Sequence, residues 1–235
     1  LAEVKVGGRS CVISQTGFSG ESGYEIYLRN ATLYADDMWD AVLEAGKKHN
    51  LMVIAPAHHR RIQAGILSWG QDLDHEHNPF QCNLGYQVSL SGKGEWAKKG
   101  DYIGKQALEK MKADLKDGHK PYKLQLVGFE IGGKPIDEYA PDFWLVSPGD
   151  GGDPCGFITS PWYHPEKGKN IAMGYIPFDG TLNPNGFPKW ELGKKFKVHL
   201  PDIYADEPGV PVDAVTVDVP FTESFNANTR EVVKG

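Results

Sequence analysis

Apolar residues recur with two different periods along this chain, and the period changes once. Up to about residue 120 the pattern mixes alternation with helical spacing. Residues 4–13 read as a strand, a Gly-Gly turn and a second strand. In residues 24–28, Tyr24, Ile26 and Leu28 fall on one face and Glu25 and Tyr27 on the other. Residues 33–48 predict a helix, because Tyr34, Met38, Val42 and Ala45 recur at spacings of three and four, with Gly46 and Asn50 as stop signals. Pro56 suits the first position of a second helix that runs to about Gly65. A strand is expected at 84–90. A short helix is expected within 102–114, where Ala107, Leu108 and Met111 share one side. Residues 114–121 read as a linker.

From Lys123 onward the period is two. Strand candidates fall at 123–131, 143–147, 155–160, 170–176, 195–200 and 214–219, separated by turn residues with no helical pattern between them. Short strands spaced in this way predict an antiparallel barrel of six or seven strands. The expected architecture is α+β followed by all-β, with a boundary near residue 120 and no internal repeat.

Composition narrows the function classes. The chain has 235 residues, a formal net charge of −6 and 40% hydrophobic residues. That is ordinary globular composition, ample for a core. No apolar run reaches about 18 residues, so no transmembrane helix is expected. No basic patch of the kind that binds nucleic acid is visible. Cys11, Cys82 and Cys155 are odd in number and widely spaced, with no CxxC, so a reducing, cytoplasmic compartment is the simpler reading. The opening residues LAEVKVGGRSCVIS are not a signal peptide. They read as the middle of a sheet, so the chain is expected to start partway through a larger protein.

Four segments carry the chemistry: TGFSGESGYEIYL (16–28), RIQAGILSWGQDLDHEHNPFQCNLGYQV (61–88), KKGDYIGKQAL (98–108) and GFITSPWYHPEKGKNIAMGYI (156–176). Together, and in this order, they resemble the folate-binding aminomethyltransferase family, which includes the glycine cleavage T-protein and folate-dependent demethylases. The family signatures run TGYTGEDGYEI, RLEAGLxLYGxDI, FIGRxAL and GxVTSG. The resemblance covers almost the whole chain. It implies an α+β, ferredoxin-like folate-binding half-domain over 1–120 and an aminomethyltransferase-type antiparallel β-barrel over 121–235. It implies tetrahydrofolate as cofactor. It also implies that the acidic residue which contacts folate N5 lies in an N-terminal half outside these residues, supplied by a separate chain or a removed segment.

The resemblance makes Glu25 the leading folate-binding candidate, because the family's Glu at this position hydrogen-bonds the pterin ring. A carboxylate suits that task, since it accepts from an amino group and an adjacent ring N–H together. From pattern alone Glu25 is a solvated strand carboxylate. Tyr24 flanks it. Phe18 stands where the family commonly has Tyr and offers a stacking face without the hydroxyl. Arg61 aligns with the second Arg of the family's GARDxLRLEAG. Ala57 stands where the first Arg, which helps bind the folate tail, is found. Arg60, His58 and His59 are the substitutes at hand. Trp69 and Asp72 are substrate-side candidates. Tyr86 and Trp162 are further aromatics able to face a cationic donor, with core packing as the alternative for each.

Other clusters carry less. Asp72, Asp74, His75, Glu76 and His77 look metal-like, but HExH lacks the helical spacing of HExxH, and no metal is expected. Cys82 has no identifiable base and reads as a buried structural thiol. The Lys-Gly-Asp-Tyr run at 99–102 lacks the Cys of the KGCYxGQE found in folate-binding iron–sulfur assembly proteins.

Within the family, the absent tail Arg, the RIxAGxLSxG pattern and Asn78-Pro79-Phe80-Gln81-Cys82 resemble dimethylsulfoniopropionate demethylases. The ending VDVPFTESF is more faintly similar to folate-dependent aryl-ether demethylases. The expected activity is tetrahydrofolate-dependent demethylation of a small methylated donor. The alternatives are a T-protein-type aminomethyltransferase and a folate-binding module without turnover.

Overall fold

The computed structural model describes residues 1–90 and 100–221. Lys98 and Lys99 of the third segment, and residues 222–225 of the VDVPFTESF ending, lie outside the described residues. The chain divides into two compact units, one containing Leu1–Ile66 and the other Leu67–Phe221. This division falls earlier than the change of period at Lys123. The physical reason is that residues 67–90 and the following helix pack with the barrel.

In the first unit, β1 (Ala2–Val6), β2 (Arg9–Ser14) and β3 (Glu25–Leu28) form a three-stranded antiparallel sheet in sequence order. Val6 pairs with Arg9 across a two-residue turn in which Gly7 and Gly8 have φ of 56° and 80°. That left-handed pair is the geometry that matches the twist of a hairpin, and it needs glycine. Helix α1 (Ala31–Gly46) follows. It opens from Asn30 in the left-handed region and buries Met38. Arg9 lies 4.0 Å above the Tyr34 ring and bonds Asp37, so the helix is tied to the sheet. Helix α2 is shorter than the pattern predicts. It runs His58–Gln63, and Pro56 sits outside it. Tyr24 and Ile26, expected on an apolar face, are both exposed.

In the second unit, the expected strand at 84–90 is instead a single 3-10 turn, Gly85–Gln87. Its cause is packing: a Cβ on Gly85 would lie 2.8 Å from both Phe80 and Phe187, so the backbone wraps tightly over these rings. Helix α3 (Lys105–Lys116) starts after Gly104 at φ 89° and runs into the expected linker. Leu115 joins Phe80, Tyr122 and Phe178 in a small core.

The period-two region closes into a barrel. Strands β4 (Leu124–Ile131), β5 (Trp144–Pro148), β6 (Gly156–His164), β7 (Lys169–Pro177), β8 (Lys195–Val198) and β9 (Val212–Val217) are ordered β4-β7-β6-β5-β8-β9, and β9 pairs back onto β4. All pairings are antiparallel, and closure removes exposed strand edges. Val127, Phe129, Val146, Ile158, Ala172 and Val198 fill the interior. Among the described residues no helix is long and apolar enough to cross a membrane.

Two glycines of the fourth segment set the closeness of β6 and β7. A Cβ on Gly156 would lie 2.0 Å from the Tyr175 carbonyl oxygen, and one on Gly174 would lie 2.5 Å from that of Phe157. Backbone cannot yield as a flexible side chain can. Gly156→Ala is therefore expected to cost about 1–3 kcal/mol or more, as overpacking does. Urea titration checks this, and an unchanged midpoint would refute the steric reading.

His164 ends β6 at 1% exposure, and its Nε2 has no hydrogen-bond partner among the described residues. Burial lowers its pKa below the ordinary 6.5. The unfolded chain then binds this proton more readily than the folded one. Stability is fully present above about pH 6.5 and is lost as pH falls through the depressed folded pKa. The unfolding midpoint should therefore drop between about pH 7.5 and pH 5.5, and less so in His164→Gln. Identical pH slopes for the two proteins would exclude His164 as the source.

Candidate functional site

Strand β3 and the loop before it create the first cluster of chemistry. Glu25 opens β3 opposite Ser14 in the register. The Thr16 hydroxyl donates to Glu25 Oε2, and the Tyr27 hydroxyl donates to the same oxygen at 3.0 Å. Tyr27 reaches it because residues two apart share a face of a strand. Thr16 also contacts the Ser14 hydroxyl at 2.9 Å. The hydrogen bond to the Glu25 carboxylate raises the Tyr27 pKa above 10.0. Two hydroxyls thus hold one oxygen of a half-buried carboxylate. Among the described residues, Oε1 accepts no hydrogen bond.

Beyond Thr16, the Gly/Ser-rich loop turns at Gly20, where φ is 73°, and the Ser19 hydroxyl accepts the Glu21 N–H at 3.2 Å. This places Phe18 and Ser19 against Ile54, Pro56, Ala57 and Arg60 around a cavity of about 330 Å³. Phe18 is 49% exposed, so its ring is available to a ligand. Arg60 Nη1 is 3.0 Å from Glu21 Oε1.

Arg61, grouped with the folate-binding candidates from the sequence, is 1% exposed. Its Nε donates to His58 Nδ1 at 3.3 Å and its Nη1 to the Ile66 carbonyl at 3.1 Å. The guanidinium carbon is 5.9 Å from the Phe18 ring centroid. It braces the end of α2 from within. Tyr24 is 69% exposed beside Glu25.

Asp72, expected on the substrate side, is instead 1% exposed. Its Oδ2 accepts the Ser68 N–H at 2.8 Å, and its Oδ1 accepts the hydroxyls of Thr159 and Ser160 at 2.5 and 2.6 Å. Consecutive strand residues normally point to opposite faces. Here the β6–β7 register shifts between Ile158 and Ser160, and this irregularity aims both hydroxyls at one carboxylate. The carbonyl of Thr159 accepts from Gln71 Nε2 at 2.7 Å.

The neighbouring motif is also anchored. Tyr175 donates to the Asp72 carbonyl at 2.6 Å and lies 3.4 Å from Cys82 Sγ. Burial raises the Cys82 pKa, which is the opposite of what a reactive thiolate needs. Gln125 Nε2 donates to the Gln81 carbonyl and to Asn83 Oδ1 at 2.9 and 2.7 Å. The Asn-Pro-Phe-Gln-Cys motif is therefore pinned to strand β4. Trp69 stays exposed, edge-on to His75 at 4.8 Å. Tyr86, with Phe187 and Trp190, lines a separate cavity of about 330 Å³.

A model described as the GCVT N-terminal domain matches residues 1–92. The chain is similar to the aminomethyltransferase of Caldanaerobacter subterraneus subsp. tengcongensis, 31% identical over 176 residues, which are 74% of this chain and 42% of that protein. The aminomethyltransferase of a Geobacillus species is 28% identical over 200 residues, 84% of this chain and 50% of that protein. The chain thus spans half or less of the length of these curated relatives. The crystal structure of glycine cleavage system aminomethyltransferase T from Bartonella henselae superposes with a TM-score of 0.63 at 22% identity, covering 90% of this chain and 49% of that one. That likeness shows the fold.

Glu25, Phe18, Tyr24 and Arg61 all lie within the GCVT-family match, as do Trp69 and Asp72. The structure gathers Phe18, Ala57 and Arg60 around one cavity and buries Arg61 and Asp72. Sequence reasoning missed the Thr16 and Tyr27 hydroxyls on Glu25, although the Glu25/Tyr27 alternation already placed one of them on the right face. It also missed Glu21 as the partner of Arg60, and Gln71 and Gln125 as anchors.

Proposed function

We propose that this chain supplies the folate-recognition and barrel parts of a tetrahydrofolate-dependent one-carbon transferase. The reaction proposed is demethylation of a small methylated donor to give methyl-tetrahydrofolate. The α+β portion is read as a ferredoxin-like folate-binding half-domain. The observation that carries this reading is the Glu25 carboxylate, with Oε2 held by Thr16 and Tyr27 and Oε1 left to a ligand. A carboxylate fixed in this way clamps an amino group and ring N–H of a pterin at no further ordering cost. Folate N5 is the nucleophile. It forms the new bond to the methyl carbon as the donor heteroatom leaves with the bonding pair, N5 then releases its proton to water or to the carboxylate brought by the N-terminal half, and the protein positions the two reactants. The aminomethyltransferase relatives support one-carbon chemistry in general. The absence of the tail Arg at Ala57 favours a demethylase over T-protein-type aminomethyl transfer.

The proposal includes a partner: an N-terminal half, as a separate chain or segment, that brings the acid to folate N5. The test is run on the native assembly. Methylated sulfonium, ammonium and aryl-ether donors are assayed with tetrahydrofolate, and methyl-tetrahydrofolate is measured. Turnover only with a lipoylated aminomethyl carrier would move the assignment to aminomethyl transfer. Folate binding with no turnover from any donor would leave a binding module.

A further inference from the structure

The barrel carries a cavity of its own. At one mouth of the barrel, β5 and β7 end and β6 and β8 begin. Pro148, Cys155, Pro177 and Phe196 line a cavity there of about 540 Å³. Barrel mouths are common ligand sites, and this volume falls in the range of small-molecule pockets. The floor is the top of the barrel core: Phe196 is 4% exposed and stands edge-on to Phe129 at 5.9 Å, and Cys155 packs against the same cluster.

The walls are held without a ligand. The Gly149 N–H donates to the Lys195 carbonyl at 3.1 Å, and the Cys155 N–H to that of Val146 at 2.8 Å. A Cβ on Gly149 would lie 2.7 Å from Lys195 Cβ and 2.8 Å from its carbonyl oxygen, so the β5–β6 loop is pressed onto β8. Buried Thr216 donates its N–H to the Lys194 carbonyl and accepts the Lys194 N–H on its hydroxyl, both at 3.0 Å.

Lys194, Lys195 and Asp150 supply the charge at the rim. None of the three has an ion-pair partner among the described residues, so two ammoniums and one carboxylate leave one net positive charge there. Lys194 leans over the apolar floor, with its Nζ 5.7 Å from the Phe196 ring centroid. Burial pushes the Cys155 thiol up, and the Lys194 charge works against that shift, a second sign that the ammonium faces the cavity.

We propose that this barrel mouth binds a small organic monoanion, a carboxylate on an apolar body, with Lys194 as the residue that selects its charge. The body lies on Phe196, Pro148 and Pro177, and its removal from water supplies the driving force. The carboxylate meets the ammonium at the rim, where Asp150 opposes the entry of a second negative charge. The site shares no residue with the Glu25 cluster and stands independently of the folate reading.

The probe is octanoate, with octanamide as the same body without the charge. Cys155 is the reporter, because Cys11 and Cys82 are 2% and 3% exposed while Cys155 is only half-buried, in the cavity wall. The full chain in its native assembly is treated with N-ethylmaleimide at about pH 8, where enough of the thiol ionises to react, and modification of the Cys155 peptide is followed by mass spectrometry. Octanoate is expected to slow that modification saturably, with half-protection at about 0.1–1 mM, an affinity in keeping with a ligand of this size. Octanamide should protect about tenfold more weakly, and Lys194→Gln should weaken octanoate about tenfold while leaving octanamide unchanged. Each protein is compared with itself, with and without ligand, because loss of the Lys194 charge also slows the thiol. Equal protection by the acid and the amide overturns the proposal, as does octanoate protection unchanged by Lys194→Gln. Absence of protection at about 10 mM octanoate also overturns it. Should Lys194→Gln fold poorly, the comparison of acid with amide on the unaltered protein decides alone.

Discussion

Asp72→Ala is expected to destabilise the Leu67–Phe221 unit by about 3 kcal/mol or more, the range for leaving several buried donors unpaired. The carboxylate accepts one backbone N–H and two hydroxyls at 1% exposure, so its removal takes an acceptor from three donors at once, of which Thr159 keeps the Met173 carbonyl at 3.1 Å. Thr159→Val and Ser160→Ala should each cost less. Because all three share one carboxylate, their effects should fall short of additivity when combined with Asp72→Ala. Chemical unfolding of the single and double variants measures this. A loss in Asp72→Ala no larger than that in Thr159→Val would mean the carboxylate is not the centre of the network. Ligand affinity per molecule of folded protein should not change, because Asp72 faces the barrel wall. A selective loss of activity in a fully folded Asp72 variant would restore the substrate-side role expected from the sequence.

Glu25→Gln is expected to weaken tetrahydrofolate by about 1–3 kcal/mol, the magnitude for losing a charge-assisted hydrogen bond. The amide keeps the shape and can still accept from Thr16 and Tyr27, so the fold should survive. Its NH2 would meet the donors of a pterin with a donor of its own. Tyr27→Phe should have a smaller effect, since it removes only one support of Oε2. Titration of the assembled protein decides the matter. Unchanged affinity in Glu25→Gln would remove the observation on which the proposed function stands.

Much of the fold was legible because its signals are local. The six barrel strands follow from period-two alternation between turn residues, and each observed strand falls within a few residues of its expected place. Helix α1 follows from spacings of three and four and from its glycine and asparagine stops. Where the reading failed, a contact distant in sequence had overridden local propensity. Residues 84–90 have the composition of a strand, but Gly85 is pressed between Phe80 and Phe187, and the chain turns there. In α2, Pro56 looked like a first helical residue, yet the helix begins at His58.

The candidate site divides the same way. Glu25 and Tyr27 on one face, Phe18 in a glycine-rich loop and the absence of Arg at Ala57 are properties of short stretches of sequence, so pattern and resemblance reach them. The roles of Asp72 and Arg60 are different. An acidic run on a polar loop reads as solvent- or substrate-facing until the irregularity in β6 turns two hydroxyls, 87 and 88 positions away, onto one of its members. Arg60 and Glu21 are 39 residues apart and carry no mark of pairing. By itself the sequence determined the periods, the turns and the residue types available to a ligand, because these depend on backbone geometry over a few residues. Only the tertiary structure decided which carboxylate is buried as an anchor and which is left facing a ligand, because burial and pairing depend on neighbours that the chain brings together from far along its length.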